Sequence, residues 1–193
     1  MDLYEAIEKR RSIRKFRRPA TEEQLKRIII AGTRAPSGVN MQPWEFIVVD
    51  DPKIKDQVAE IKYQLALTNP PPEIGGLSQP LSEREKRASW QKSGFQKASV
   101  ICQVSNRRHW AALGSMWLCI ENMYLAAVAE GLGGWFCSFW GEHLSQAERL
   151  LGLPRSHKLI NVMLCGVPAE EPLPKEMRPE FSWLHRNRYG TRV

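Results

Sequence analysis

The 193-residue chain has little cysteine and little histidine, four of each, and neither type is spaced to hold a metal. Cys102, Cys119, Cys137 and Cys165 lie 17, 18 and 28 residues apart, which excludes zinc-type and thioredoxin-type clusters. They read instead as four reduced, buried thiols of a cytoplasmic protein. His109, His143, His157 and His185 form no H-x-x-x-H or H-E-x-x-H pair, so no metal site is predicted. No G-x-G-x-x-G follows a strand and there is no P-loop, which excludes a Rossmann-type dinucleotide site and a Walker-type ATP site. No G-x-S-x-G elbow is present. Apolar runs are broken by charge before about 18 residues, so no membrane-spanning helix is expected. The N-terminus does not have the form of a secretory signal.

Acidic residues are outnumbered, 21 against 28 Lys and Arg, for a net charge of +7. The excess is local. Residues 1–18 carry +4, residues 175–193 carry +3, and the segment between them sums to zero. Within the first stretch, "KRRSIRKFRR" (9–18) has seven basic residues in ten. Chain ends often lie close together in a compact domain, so the two basic ends are expected to form one positive site. Charge alone leaves three readings open: a solvated face, a small phosphate ligand, or nucleic acid. The run lacks the spaced aromatics of a base-stacking surface.

The periodicity of the chain mixes helices and strands without strict βαβ alternation. The expected class is therefore α+β, with residues 1–193 as one domain. Residues 2–9 read as a short helix with Leu3, Ala6 and Ile7 on one face. Thr21 and Gln24 form a capping box opening a helix whose Leu25, Ile28, Ile29 and Gly32 face inward. Residues 34–44 are a loop and "EFIVVD" is a strand. A helix follows Pro52 through Val58, Ile61 and Leu65. Residues 68–82 hold four prolines and two glycines and cannot be regular. A charged helix at 83–92 and a strand at 99–104 come next. Residues 110–130 read as a central buried helix with Trp117, Ile120, Tyr124, Leu125 and Val128 inward. Gly131, Gly133 and Gly134 are expected to end it. "WFCSFW" is a strand, 145–152 a helix, "KLINVMLCGV" a buried strand, and the tail from Pro168 is extended.

Several motifs in this order carry a resemblance. "RRSIRKF" follows a short helix, and "APSGVNMQPWEFIVV" comes about twenty residues later. "AAVAEGLGGWFCSFW", "ERLLGLP", "NVMLCGVPAEEP" and "KEMRPEFSWLHRNRYG" follow. Together they cover most of the chain and resemble the nitroreductase family of FMN enzymes. The resemblance implies a nitroreductase-like fold, a central mostly antiparallel sheet flanked by helices. It also implies a homodimer with FMN at each interface active site.

By that resemblance, Arg10, Arg11 and Ser12 meet the phosphate and ribityl side of FMN, and Arg14 the pyrimidine edge of the flavin. Arginine suits both tasks, as a bidentate phosphate donor and as a cation that stabilises an anionic reduced ring. Lys15, Arg17 and Arg18 are expected at the surface. Pro36, Ser37, Gly38, Asn40 and Gln42 are implied to reach the other subunit's flavin, while Trp44 is expected in the core. The stretch Trp135, Phe136, Cys137 and Ser138 is implied to run along the flavin near N5, with the Ser138 hydroxyl donating to N5 and favouring a semiquinone. Lys175 and Arg178 are candidates for the phosphate, with Arg186 and Arg188 competing because the register of the tail is open.

The implied activity is ping-pong. NAD(P)H reduces the flavin, which then reduces a small electron acceptor such as a nitroaromatic or quinone. A deiodinase-like or flavin-consuming enzyme of the same fold is the nearer alternative. A basic nucleic-acid-binding protein without catalysis is the more distant one. Residues 65–95 are expected to be a variable lid, proline-rich and then basic at Arg84, Lys86, Arg87 and Lys92. That lid shows no acid–Tyr–Lys set for an iodotyrosine zwitterion, so deiodination is not expected. Neither a nucleic-acid nor a membrane partner is expected.

Overall fold

The computed structural model describes residues 1–68, 79–172 and 174–191. Its strands are β1 (Phe16–Pro19), β2 (Trp44–Val48), β3 (Ser99–Ser105), β4 (Gly133–Cys137) and β5 (Lys158–Pro168). Its helices are α1 (Leu3–Lys9), α2 (Glu22–Thr33), α3 (Pro52–Leu67), α4 (Leu81–Lys97), α5 (Trp110–Ala129) and α6 (Gly141–Leu150). A 3-10 turn, Gly38–Asn40, precedes β2.

The five strands make one antiparallel sheet with β5 as its hub. The long β5 pairs with β3 from Lys158 to Cys165, with β4 from Val162 to Gly166, and with β1 at its last residues. β2 lies on the far side of β3. Alternate residues of the central strands feed two cores, as a period of two requires. Val100, Cys102, Val104, Val162 and Leu164 face one layer with Val58, Leu65 and Phe95. Ile101, Met163 and Cys165 face the other, with Ile28 from α2 and Ile120, Met123 and Tyr124 from α5. The fold is thus a sheet with helices on both faces.

Local signals explain several boundaries. The Thr21 hydroxyl accepts from Gln24 N and the Gln24 side chain accepts from Thr21 N, a complete capping box. Asp51 caps α3, with Pro52 at its first position. α5 ends at Gly131, whose φ of 73° is a left-handed stop. Gly131 N donates to Val128 O and Leu132 N to Ala127 O, the paired bonds of a Schellman motif. Gly133 and Gly134 take no part in that stop. They begin β4, where a Cβ on Gly133 would sit 2.5 Å from Cβ of Ile13, so the absent side chain lets the basic N-terminal run lie against the strand.

Other boundaries differ from the sequence reading. The charged helix runs 81–97 rather than 83–92, and Gly94 and Phe95 carry its buried face past residue 92. α6 starts at Gly141, not 145, and β4 stops at Cys137, short of Trp140. On α1 only Ala6 is buried, and Leu3 and Ile7 are exposed. α5 is not buried all round. Met116, Cys119, Ile120, Met123, Tyr124 and Ala127 form its inner face, while Trp110, Trp117 and Leu118 face outward. The sequence reading also missed that α5 is long and apolar enough, by length and composition, to cross a membrane. Here its inner face belongs to the core. Most of the proline-rich 68–82 stretch lies outside the described residues.

Candidate active site

The N-terminal basic run reaches the site because α1 stops at Lys9 and the chain turns extended at Arg10 (φ −59°, ψ 123°). Ser12 forms a parallel bridge to Gly134 of β4, and Ile13 N donates to Gly134 O at 2.9 Å. At the other end of the chain, Glu170 just after β5 folds back over the same run. Its Oε1 accepts from Arg14 N at 2.7 Å and from Lys15 N at 3.1 Å. Of the basic tail, Lys175 comes to the same place. Arg10, Arg11, Ser12, Arg14 and Lys175 line one open pocket of about 430 Å³ with Trp90, Glu170 and Glu171. That volume lies within the ~300–1,000 Å³ range of small-molecule sites.

Each cation there has a different environment. Arg10 Nε lies 3.7 Å from Glu121 Oε1 of α5. Arg11 Nη1 donates to Glu8 O at 2.5 Å and Arg10 O at 2.8 Å, so it also caps the C-terminal carbonyls of α1. Arg14 has no carboxylate within salt-bridge distance of its guanidinium among the described residues. Its Cζ sits 5.8 Å from the Trp90 ring and 5.7 Å from the Trp135 ring. Cation–π attraction thus holds a charge that no carboxylate among the described residues pairs with. Lys15, Arg17 and Arg18 are exposed.

Pro36, Ser37, Gly38, Asn40 and Gln42 lie apart from that pocket, on the 3-10 turn beside α5. Three consecutive-region residues other than glycine take left-handed backbone: Val39 (φ 46°), Asn40 (54°) and Gln42 (44°). For a β-branched valine this is a strained conformation. Bonds from Gln42 N to Ser37 Oγ, Gln42 Nε2 to Asn40 Oδ1 and Gly38 N to Ser115 Oγ hold the loop. Val39 is 96% exposed at its tip. Trp44 packs, half-buried, against the α2–α5 core.

The strand stretch splits by pleat. Trp135 and Cys137 point into the α3–α4–α6 core, and burial pushes the Cys137 thiol up to about 12. Their side chains belong to the core, with the Trp135 face also on Arg14. Phe136 and Ser138 remain half-buried. Phe136 touches Tyr124 at 4.0 Å and Trp117 at 6.0 Å between ring centroids. Ser138 lines a separate pocket of about 330 Å³ with Trp117, Lys158 and Ile160. Of the tail candidates, Lys175 reaches the basic pocket. Arg178, Arg186 and Arg188 are exposed and do not line it.

Four features escaped the sequence reading. Trp90 and Glu170 complete the surroundings of Arg14, and only tertiary contact reveals them. Lys62 is 7% exposed; its Nζ donates to Ser138 O at 3.0 Å and lies over the Phe139 and Trp140 rings. An acid–Tyr–Lys group also exists. Lys92 Nζ lies 2.5 Å from Glu60 Oε2 and 5.5 Å from the Tyr63 ring centroid. The hydrogen bond lowers the Glu60 pKa and raises that of Lys92. Glu60 and Tyr63 sit on α3, ahead of residues 65–95, so a search of that segment alone could not find them.

The Nitroreductase family profile matches residues 7–167, a span that contains the basic run, the strained loop and every strand but the last residue of β5. The chain belongs to the nitroreductase family. Among curated nitroreductase relatives, it is 30% identical to an iodotyrosine deiodinase of Thermotoga neapolitana, over 92% of this chain and 94% of that one. It is also 30% identical to an NADH dehydrogenase of Thermus thermophilus, over 93% of each. A crystal structure of oxidized iodotyrosine deiodinase bound to FMN and 3-iodo-L-tyrosine superposes with a TM-score of 0.74 at 27% identity, covering 93% of this chain and 96% of that one.

Proposed function

We propose that this nitroreductase-family chain is an FMN-dependent oxidoreductase. It works as a homodimer and uses NAD(P)H to reduce small acceptors such as nitroaromatics or quinones. The carrying observation is the convergence of Arg10, Arg11, Ser12, Arg14 and Lys175 from opposite chain ends on one pocket. Three arginines and a lysine suit a phosphate dianion, and the un-neutralised Arg14 suits the electron-rich edge of a flavin. When bound, FMN supplies the hydride and electron chemistry. The chain's own part is to hold the phosphate with Arg10, Arg11 and Lys175, to orient the ring with Arg14, and to offer the Ser138 hydroxyl beside it.

The homodimer is supported by apolar side chains that the described residues of one chain leave exposed. Leu3, Tyr4 and Ile7 of α1 and Trp110, Trp117 and Leu118 of α5 all face outward on adjoining helices. The strained 36–42 loop stands beside it, so a second copy would place Ser37, Asn40 and Gln42 near the partner's cofactor. The whole chain acts as one domain, with α4 as part of the variable wall on the acceptor side.

The Glu60–Tyr63–Lys92 group favours a second acceptor class, a zwitterionic halogenated phenol. A carboxylate suits its ammonium, and a lysine and a phenol suit its carboxylate. The two deiodinase likenesses, at 27% and 30% identity, support the same reading.

The FMN reading is tested by titrating apo-protein with FMN and with riboflavin. FMN is expected to bind much more tightly, because riboflavin lacks the phosphate. Equal affinities would remove the basis for the phosphate socket. The acceptor classes are separated by adding 3-iodotyrosine, whose binding should be lost in Glu60→Gln.

A further inference from the structure

Arg14 is gripped by a helix that the cofactor reading does not use. Trp90 and Gly94 lie four residues apart on α4, one above the other on the same face. That face is pressed onto Arg14. A Cβ built on Gly94 would come 3.0 Å from Arg14 O, so the absent side chain lets the helix backbone approach the Arg14 peptide closely. One turn earlier, the Trp90 ring lies 5.8 Å from the Arg14 Cζ, and Trp135 of β4 lies 5.7 Å from the same atom. Among the described residues the buried Nε1 of Trp90 has no hydrogen-bond partner, so the contact seen there is made by the ring face.

Arginine has a long side chain with much rotamer freedom, and a binding site that must order it pays that entropy on binding. A carboxylate would order Arg14 but would also neutralise it. Two indole faces order it and leave its charge available. We infer that Trp90 is a positioning residue: stacked from α4, it pre-orders the Arg14 guanidinium toward the basic pocket and so strengthens cofactor binding through Arg14. This rests on the FMN reading. It also makes α4, within the acceptor-side wall, a contributor to the cofactor site.

A double-mutant cycle on FMN affinity tests it, using Trp90→Ala, Arg14→Met and the double variant, each checked for wild-type circular dichroism. Trp90→Ala is expected to weaken FMN roughly tenfold in the wild-type background and less than about twofold in the Arg14→Met background. Trp90→Phe, which keeps an aromatic face, should recover most of the loss. In the apo-protein, the Arg14 Nε–H proton should resonate upfield through the two ring currents and move downfield in Trp90→Ala. If Trp90→Ala costs the same in both backgrounds, or nothing, the inference is overturned while the FMN reading stands. If wild-type protein binds no FMN, both are overturned.

Discussion

Glu170 Oε1 accepts the backbone N–H of Arg14 at 2.7 Å, joining residues 156 positions apart. The same oxygen takes Lys15 N at 3.1 Å, so one carboxylate pins the tail of β5 to the basic run. Glu170→Ala leaves both donors without it and should lower unfolding free energy by about 1–3 kcal/mol, measured by chemical denaturation. Glu170→Gln keeps an accepting oxygen and removes a negative charge from the pocket. It should nearly preserve stability and tighten binding of inorganic phosphate.

Removing one phosphate-facing cation should weaken FMN by tenfold to about a hundredfold, the worth of a charge-assisted hydrogen bond. Arg10→Met is expected to do so for FMN while changing riboflavin affinity little. Arg14→Met, placed toward the ring, should weaken both. Fluorescence titration of the apo-protein distinguishes the two patterns.

The two basic stretches, the capping box at Thr21 and the loop at 34–44 were legible in the sequence because each is a local pattern of charge or turn chemistry. What was not legible is long-range. Nothing near Arg14 in sequence announces Trp90 or Glu170, which arrive from α4 and from beyond β5. Helix periodicity marked α5 as apolar, but it could not say which apolar face the chain itself covers. Trp117 was therefore assigned to the core, whereas the buried face is Met116, Cys119, Ile120, Met123, Tyr124 and Ala127. The pleat of β4 likewise divides Trp135 and Cys137 from Phe136 and Ser138, a distinction that a quoted motif does not make.

The outward face of α5 should be an interface. Trp117→Glu places a charge in it and is expected to convert a dimer to a monomer in light scattering. FMN should be lost in the same variant, because the 36–42 loop no longer reaches a partner. A wild-type protein that is already monomeric would contradict this.

The buried thiols give stability a sign at high pH. Burial pushes Cys102, Cys119, Cys137 and Cys165 up to about 12, whereas unfolded thiols ionise near ~8.5. Below that pH both states hold their protons and the contribution is fully present. Between there and about 12 only the unfolded chain ionises. Stability should then fall by about 1.4 kcal/mol per pH unit for each thiol. Buried Tyr124, its pKa also raised by burial, adds in the same direction at higher pH. Denaturant midpoints from pH 8 to 11 measure the slope, and iodoacetamide should label none of the four thiols in the folded protein at pH 7.

The central claim, a flavin that takes electrons from a nicotinamide and passes them on, is tested most directly by anaerobic titration of the FMN-loaded protein with NADH and NADPH. The yellow absorbance should bleach with at least one of them and return on adding a nitroaromatic, a quinone or 3-iodotyrosine. Bound flavin that neither nicotinamide bleaches would contradict the account.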